Sequence, residues 1–220
     1  MEEGLIYVGP YTTSVWKNKI WPYLRIIDRV RLGQCNHFFH TLLGKDKLVE
    51  EWKEWVKTLP AFICFANACM EGYNDIVQLM IRRGINDWNR GLRAACFGGH
   101  LNIVQLMIKK GATEWNLGLY HACGKGHIDV VRFMIQSGTK DLNGGLYNAC
   151  KGGHMDIVQL MIAKGANDWN EGLYCACAGG HLNTVQLMLE MGATDLNLGL
   201  NGANFNNHTH VLQYLKDMHQ

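Results

Sequence analysis

Three residues near position 180 have side chains that bind metal ions or react as thiols. Cys175, Cys177 and His181 lie within seven positions, and thiolate and imidazole groups are common zinc ligands. The cysteines form a Cys-x-Cys pair rather than Cys-x-x-Cys, and no second pair supplies four ligands. Metal binding, thiol chemistry and packing therefore all have to be weighed.

The same combination recurs along the chain with a period of 27 residues. The recurring position holds Tyr73, His100, His127, His154, His181 and His208. Four positions before these residues stand Cys69, Cys96, Cys123, Cys150 and Cys177, with Asn204 in the last unit. A third landmark closes each unit, at Trp88, Trp115, Leu142, Trp169 and Leu196. These landmarks define the units 62–88, 89–115, 116–142, 143–169, 170–196 and 197–220.

Each unit has the pattern of two short helices. In the fourth unit, the first helix is predicted over Gly145–Lys151 and ends at a pair of glycines. The second follows His154, has Asp156 in its first turn, and ends before Gly165, a residue that tolerates a left-handed conformation. Helices this short are marginal on their own, so neighbouring units must stack as a solenoid.

Stacking favours a packing role for the cysteines and histidines. Equivalent atoms of adjacent units should lie about 8–10 Å apart, whereas a zinc ion needs its ligands at about 2.0–2.3 Å. Histidines of neighbouring units therefore cannot share one ion. We interpret the cysteines as compact apolar residues of the core and the histidines as hydrogen-bonding groups that join helix ends. We expect no metal ion and no cofactor.

The pattern "GLYxACxGGHxxIVQLMIxKGAxDWN" resembles the ankyrin repeat over residues 62–220. The resemblance implies a helical solenoid that binds proteins in a concave groove lined by the first helices. Ankyrin units usually have 33 residues, and the six missing here fall in the loop that normally forms a projecting β-hairpin. We therefore predict an all-α, ankyrin-like solenoid of about six shortened helix-turn-helix repeats without hairpins, with Trp-Asn linking the units directly.

The candidate binding residues lie on the predicted first helices, mostly at positions that change from unit to unit. They are Arg90, Arg93, Phe97, Leu117, Tyr120, His121, Lys125, Tyr147, Asn148, Lys151 and Tyr174. Phe97, Lys125 and Lys151 are the preferred exposed contacts. For Arg93 and the three tyrosines, which share one position of the repeat, a structural role and a contact role stay equally open. The periodic tryptophans are read as apolar plugs between units.

The N-terminal part comprises a tail, 1–14, and a helical segment, 15–61. The stretch "DKLVEEWKEWVKTLP" has the spacing of an amphipathic helix that covers the first unit. Residues 15–43 resemble the F-box, a helical module that docks on the adaptor subunit of a cullin-type ubiquitin ligase. The matching residues are Ile20, Leu24, Asp28, Leu32, Cys35 and Phe39. Thr12-Thr13 stand where the F-box normally has Leu-Pro, so a plain helical cap is the alternative.

Composition and motifs argue against several other classes of protein. The 220 residues include 21 Lys and Arg and 19 Asp and Glu, and no stretch is apolar enough to span a membrane. We find no phosphate-binding loop or hydrolase motif. We therefore predict a non-enzymatic, monomeric cytoplasmic protein, with the host cytoplasm or nucleus as an alternative. We expect its partner to be a protein rather than nucleic acid or membrane, and the resemblance to the F-box implies a ligase adaptor subunit as a second partner. A simple ankyrin scaffold and an enzyme with an unrecognised thiol are the competing hypotheses.

Overall fold

The computed structural model describes the backbone of residues 61–218 and the side chains of residues 65–218. This range contains twelve α-helices and no β-strand, which confirms the prediction of an all-helical solenoid without hairpins. The helices are α1 (Ala61–Glu71), α2 (Asn74–Arg82), α3 (Trp88–Gly98), α4 (Leu101–Lys109), α5 (Trp115–Lys125), α6 (Ile128–Gln136), α7 (Leu142–Gly152), α8 (Met155–Ala163), α9 (Trp169–Gly179), α10 (Leu182–Glu190), α11 (Leu196–Phe205) and α12 (Thr209–Met218). No helix in the range is long and apolar enough to cross a lipid bilayer.

Odd-numbered helices are the first helices of the units, and they begin earlier than the sequence pattern predicts. Helix α7 begins at Leu142 rather than at Gly145. Asp141 precedes it, and its carboxylate accepts a hydrogen bond of 2.8 Å from the backbone N–H of Gly144. Because an N-cap aspartate satisfies a backbone donor of the first turn, the helix can start directly after it. The aromatic or leucine residue that closes the sequence unit thus opens the next helix.

Left-handed glycines end the helices as predicted. Gly153 follows α7 with φ +73°, and Gly165 lies just beyond α8 with φ +105°. In the last unit Asn207 has the position of the second glycine and a positive φ of 56°. Asparagine is one of the few other residues that adopt this conformation without a large penalty.

The first helices form a tightly packed layer and the second helices a looser one. Each first helix contacts the first helices of both adjacent units extensively, whereas neighbouring second helices barely touch. The core lies between the layers, where Leu146 and Cys150 of α7 and Ile157, Val158 and Met161 of α8 have no exposed surface. The first helices of adjacent units therefore approach one another more closely than the second helices do.

Glycines in two positions of the unit allow the close spacing of the first helices. A Cβ atom on Gly145 would lie 2.8 Å from Sδ of Met161 and 3.2 Å from a methyl group of Leu119. A Cβ atom on Gly98 would lie 1.9 Å from the carbonyl oxygen of Met70, in the preceding unit. A Cβ atom on Gly98 or Gly145 could therefore not be added without a local shift of its neighbours.

The last unit has the polar outer face that a solenoid needs at its end. Asn204 and Thr209 replace apolar residues of the repeat there, and the structure exposes both. Asn206, which is also exposed, donates a hydrogen bond of 2.6 Å from its side-chain nitrogen to the carbonyl oxygen of Ala178. Phe205 is an exception, with 80% of its surface exposed.

We predict opposite effects for alanine at two glycines of the first helices. Gly98→Ala should lower the free energy of unfolding by about 2 kcal/mol, because the added methyl group meets backbone rather than a mobile side chain. Gly124→Ala should leave stability unchanged or raise it by up to about 1 kcal/mol, since alanine favours the helix and its Cβ would be 3.7 Å from Asn148. Urea unfolding followed by circular dichroism would measure both. Equal destabilisation by the two changes would contradict the proposed contact.

Candidate binding surface on the first helices

The repeated cysteines are packing residues. Cys69, Cys96, Cys123, Cys150 and Cys177 are fully buried. The sulfur of Cys96, for example, lies beside the next first helix. A Cβ atom placed on Gly118 of that helix would be 3.1 Å from Sγ of Cys96. Burial raises the pKa of the Cys96 and Cys150 thiols to about 12. They are therefore protonated at neutral pH, as the packing interpretation requires.

Cys175, which belongs to no repeated position, has a different environment. It is half-buried, on the outward side of α9. Burial, together with the negative charges of Glu171 and Asp168, raises the pKa of its thiol to about 11, although Lys151 opposes the shift. In the described part of the chain, no three histidine, cysteine or acidic side chains lie close enough together to hold a metal ion.

The repeated histidines join consecutive units, as predicted. The Nε2 atom of His127 is 2.9 Å from the carbonyl oxygen of Phe97, and that of His181 is 3.1 Å from the carbonyl oxygen of Lys151. A carbonyl oxygen only accepts, so Nε2 carries the proton. Each ring also covers the left-handed glycine of the preceding unit, since a Cβ on Gly153 would lie 2.5 Å from Nδ1 of His181. Because each such glycine contacts the histidine of the next unit, the glycine and the histidine recur together along the sequence.

The row that contains Arg93 and the tyrosines has a structural role. Arg93 forms an ion pair with Glu114, and the hydroxyl groups of Tyr120 and Tyr147 donate hydrogen bonds to Asp141 and Asp168. These acidic residues directly precede the next first helix, and both aspartates cap it. Burial and the Asp141 carboxylate raise the pKa of Tyr120 to about 12. These three residues thus fasten α3, α5 and α7 to the starts of α5, α7 and α9.

The asparagine at the second position of a first helix also links consecutive units. The side-chain oxygen of Asn89 accepts hydrogen bonds from the backbone of Thr113 at 2.7 Å and of Glu114 at 3.1 Å. Asn143 and Asn170 accept equivalent bonds from the turn of the next unit. The predicted Trp-Asn link is therefore made by the asparagine side chain. The tryptophans are half-buried beside it, and Trp88 packs its ring edge-on against Phe65 with centroids 6.3 Å apart.

The predicted binding residues differ in exposure. The structure exposes Leu117, His121, Lys125 and Lys151, and leaves half-buried Arg90, Arg93, Phe97, Tyr120, Tyr147, Asn148 and Tyr174. Leu117 is 41% exposed, an unusual position for a large apolar side chain in this stack. All eleven residues lie on the first helices, and we call this set of residues the first-helix face.

Three residues of the first-helix face form a cluster that the sequence did not reveal. The ammonium group of Lys125 lies 4.5 Å from the centroid of the Phe97 ring. The ring of His121 packs edge-on against the same ring, with centroids 6.0 Å apart. Burial lowers the pKa of His121, and the positive charges of Arg93 and Lys125 lower it further. The cluster combines an aromatic surface, a positioned cation and a neutral imidazole.

Comparison with known proteins agrees with this architecture. The family model for ankyrin repeats (3 copies) matches residues 65–144 and 119–199, which together make up more than half of the chain. The chain therefore belongs to the ankyrin-repeat family. A solved structure with a similar fold is the human ASB11 ankyrin repeat domain, at 25% sequence identity and a TM-score of 0.54. The similarity covers 70% of this chain and 82% of that one. No sequence among the curated proteins matches the chain significantly.

The predicted F-box-like residues lie outside the described part of the chain. This applies to Ile20, Leu24, Asp28, Leu32, Cys35 and Phe39, and to the amphipathic stretch at 46–60. Their docking role stays a prediction from the sequence.

We predict that thiol alkylation separates Cys175 from the buried cysteines. In the folded chain at pH 8, iodoacetamide should label Cys175 faster than Cys69, Cys96, Cys123, Cys150 and Cys177, because those five thiols are inaccessible and have higher pKa values. Peptide mapping by mass spectrometry would give each rate, with urea-unfolded protein as the control in which all six react alike. Faster labelling of any of the five buried cysteines would contradict the packing role.

We predict that the tyrosine row contributes to stability. Tyr147→Phe removes the hydrogen bond to Asp168 and should lower the free energy of unfolding by about 1 kcal/mol. Tyr214→Phe, on α12 and outside the row, is the matched control and should change stability much less. Thermal unfolding followed by circular dichroism would compare the two. An equal effect of both substitutions would show that the row does not hold the units together.

Proposed function

We propose that this protein is an interaction adaptor that binds a protein target on its first-helix face and presents it to a cullin-type ubiquitin ligase through residues 15–61. The observation that carries the first half of the proposal is the pattern of variation among units. Buried positions repeat the same residues, as in Leu119, Leu146 and Leu173. Outward positions of the same helices change from His121 to Asn148 to Cys175. Packing does not require this variety, whereas recognition of a particular partner does.

The proposal agrees with the chemistry of the described side chains. Ankyrin repeats are binding scaffolds, and all six cysteines in residues 65–218 have raised pKa values. A nucleophilic cysteine needs the opposite shift, since the thiolate is the reactive form. This argues against the hypothesis of a thiol enzyme. We expect the adaptor to act as a cytoplasmic monomer.

The ligase half of the proposal depends on the sequence of the N-terminal segment. Its support is the spacing of Ile20, Leu24, Asp28 and Leu32, which resembles the F-box. The alternative is a simple ankyrin scaffold in which residues 15–61 only cap the stack. The Thr12-Thr13 pair in place of Leu-Pro favours this alternative, so the two must be separated by experiment.

We predict that substitutions in the two parts have separate effects on capture from cell lysate. The double change Leu24→Asp and Leu32→Asp should abolish recovery of ligase adaptor and cullin subunits while the target is still recovered. The double change Leu117→Glu and Asn148→Glu should reduce recovery of the target at least tenfold and leave the ligase subunits unchanged. Quantitative mass spectrometry of captured proteins would measure both.

The matched control for the first-helix face is the pair Gln105→Glu and Gln159→Glu. These glutamines are exposed on the second helices α4 and α8, so the substitutions add the same charge on the other layer. Circular dichroism would establish that each variant is folded. If the folded wild-type chain recovers no ligase subunit, the scaffold alternative holds. If the control pair reduces target recovery as much as the first-helix pair, the assigned surface is wrong.

A further inference from the structure

Positive side chains of the first-helix face are concentrated in three successive units. Residues 61–218 contain twelve Lys and Arg and twelve Asp and Glu, so the described part has no net charge. On the C-terminal halves of α3, α5, α7 and α9, however, the charged side chains are Arg93, Lys125 and Lys151, and none is acidic. The positive patch is therefore produced by the arrangement of charges rather than by their total.

The three carboxylates that directly precede first helices in these units are engaged by side chains other than the two lysines. Glu114 pairs with Arg93, and Asp141 and Asp168 accept hydrogen bonds from the tyrosine row. Lys125 and Lys151 are both exposed and have no carboxylate partner among the described residues. Their charges are consequently available to an anionic ligand.

The Phe97 cluster holds one of these charges in place. Because the Lys125 ammonium lies against the face of the Phe97 ring, a cation–π interaction restricts the side chain before any ligand binds. A side chain that is already restricted loses less entropy on binding. An apolar group of a ligand that binds Lys125 would lie next to the half-buried Phe97 ring.

Phe97, Gly124 and Lys151 have the same position in three successive units. Gly124 has no side chain to fill the space between the other two, and the atom nearest to a Cβ placed on it would be 3.7 Å away, on Asn148. Lys125 and Lys151 are on adjacent first helices, whose axes are about 8–10 Å apart. An extended peptide in the polyproline II conformation advances about 3.1 Å per residue and has about three residues per turn, so residues three apart lie on the same side and about 9 Å apart. Two acidic residues with this spacing fit the two lysines.

We propose that the patch formed by Phe97, His121, Lys125 and Lys151 binds an extended acidic segment of a protein partner, with carboxylates three residues apart on the two lysines. This inference rests on the proposed binding function and adds the chemistry of the partner. A protein segment is favoured over nucleic acid for two reasons. The described part has no net positive charge, and Lys125 occupies the Phe97 face on which a base would stack.

His121 gives the site a defined pH dependence. Arg93 on α3 and Lys125 on α5 lower the pKa of His121 in addition to burial, and the neighbouring part of α7 carries Asn148 and Lys151 and no acid. The imidazole is therefore neutral in the free protein at pH 7.5. A bound carboxylate favours its protonated form, so binding takes up a proton. Affinity should accordingly increase as the pH falls from 7.5 towards 6.

Fluorescence anisotropy with the full chain tests the proposal. The probes are a short dye-labelled peptide with Asp or Glu at every third position and a matched peptide with Asn or Gln instead. We expect the acidic peptide to bind at low salt, and the double change Lys125→Gln and Lys151→Gln to weaken it about tenfold. Lys140→Gln with Lys164→Gln, which removes two exposed lysines of the turns, should leave binding unchanged. His121→Asn should abolish the pH dependence.

Three results would overturn the proposal. The acidic peptide could bind no better than the amide peptide, the two turn lysines could matter as much as Lys125 and Lys151, or a single-stranded oligonucleotide of equal charge could bind more tightly. The lysate experiment distinguishes this failure from failure of the proposed function. If Leu117→Glu with Asn148→Glu still reduces target recovery, the first-helix face binds a partner of different chemistry. If it does not, both inferences fall.

Discussion

The close approach of successive first helices is the constraint on which the remaining structure depends. A side chain on Gly98 or Gly145 would occupy space that belongs to the preceding unit or to the core. Alanine and cysteine complete the same surface with small apolar groups, and the pKa of each repeated thiol is raised because the stack excludes water there. The cysteines thus serve the packing that the glycines permit.

Close spacing also determines how the polar groups at the helix ends are satisfied. His127 reaches a carbonyl group at the end of α3, and Asn89 reaches two backbone N–H groups of the turn before α5. No buried side-chain nitrogen or oxygen among the described residues lacks a hydrogen-bond partner. Side-chain hydrogen bonds therefore link these short units to one another.

The same geometry divides the charged residues into two groups with different roles. Carboxylates lie at the starts of the first helices, where they cap the helix and accept bonds from Arg93 and the tyrosines. Lys125 and Lys151 lie in the last turns, where their charges meet the negative ends of the helix dipoles. This placement stabilises the helices and, at the same time, leaves two cations exposed on one face. The residues that stabilise the helix ends are consequently the same ones that the proposed acidic partner would contact.

The sequence by itself determined the repeat, the two-helix unit, the glycine helix ends and the structural use of the repeated cysteines and histidines. These follow from local properties: the period of apolar residues, the conformational freedom of glycine, and the spacing of side chains within one unit. The ion pair of Arg93 and the contact of Lys125 with Phe97 were decided by the tertiary structure. Each of the two contacts joins residues more than twenty positions apart, and only the stacking distance and rotation of neighbouring units bring them together.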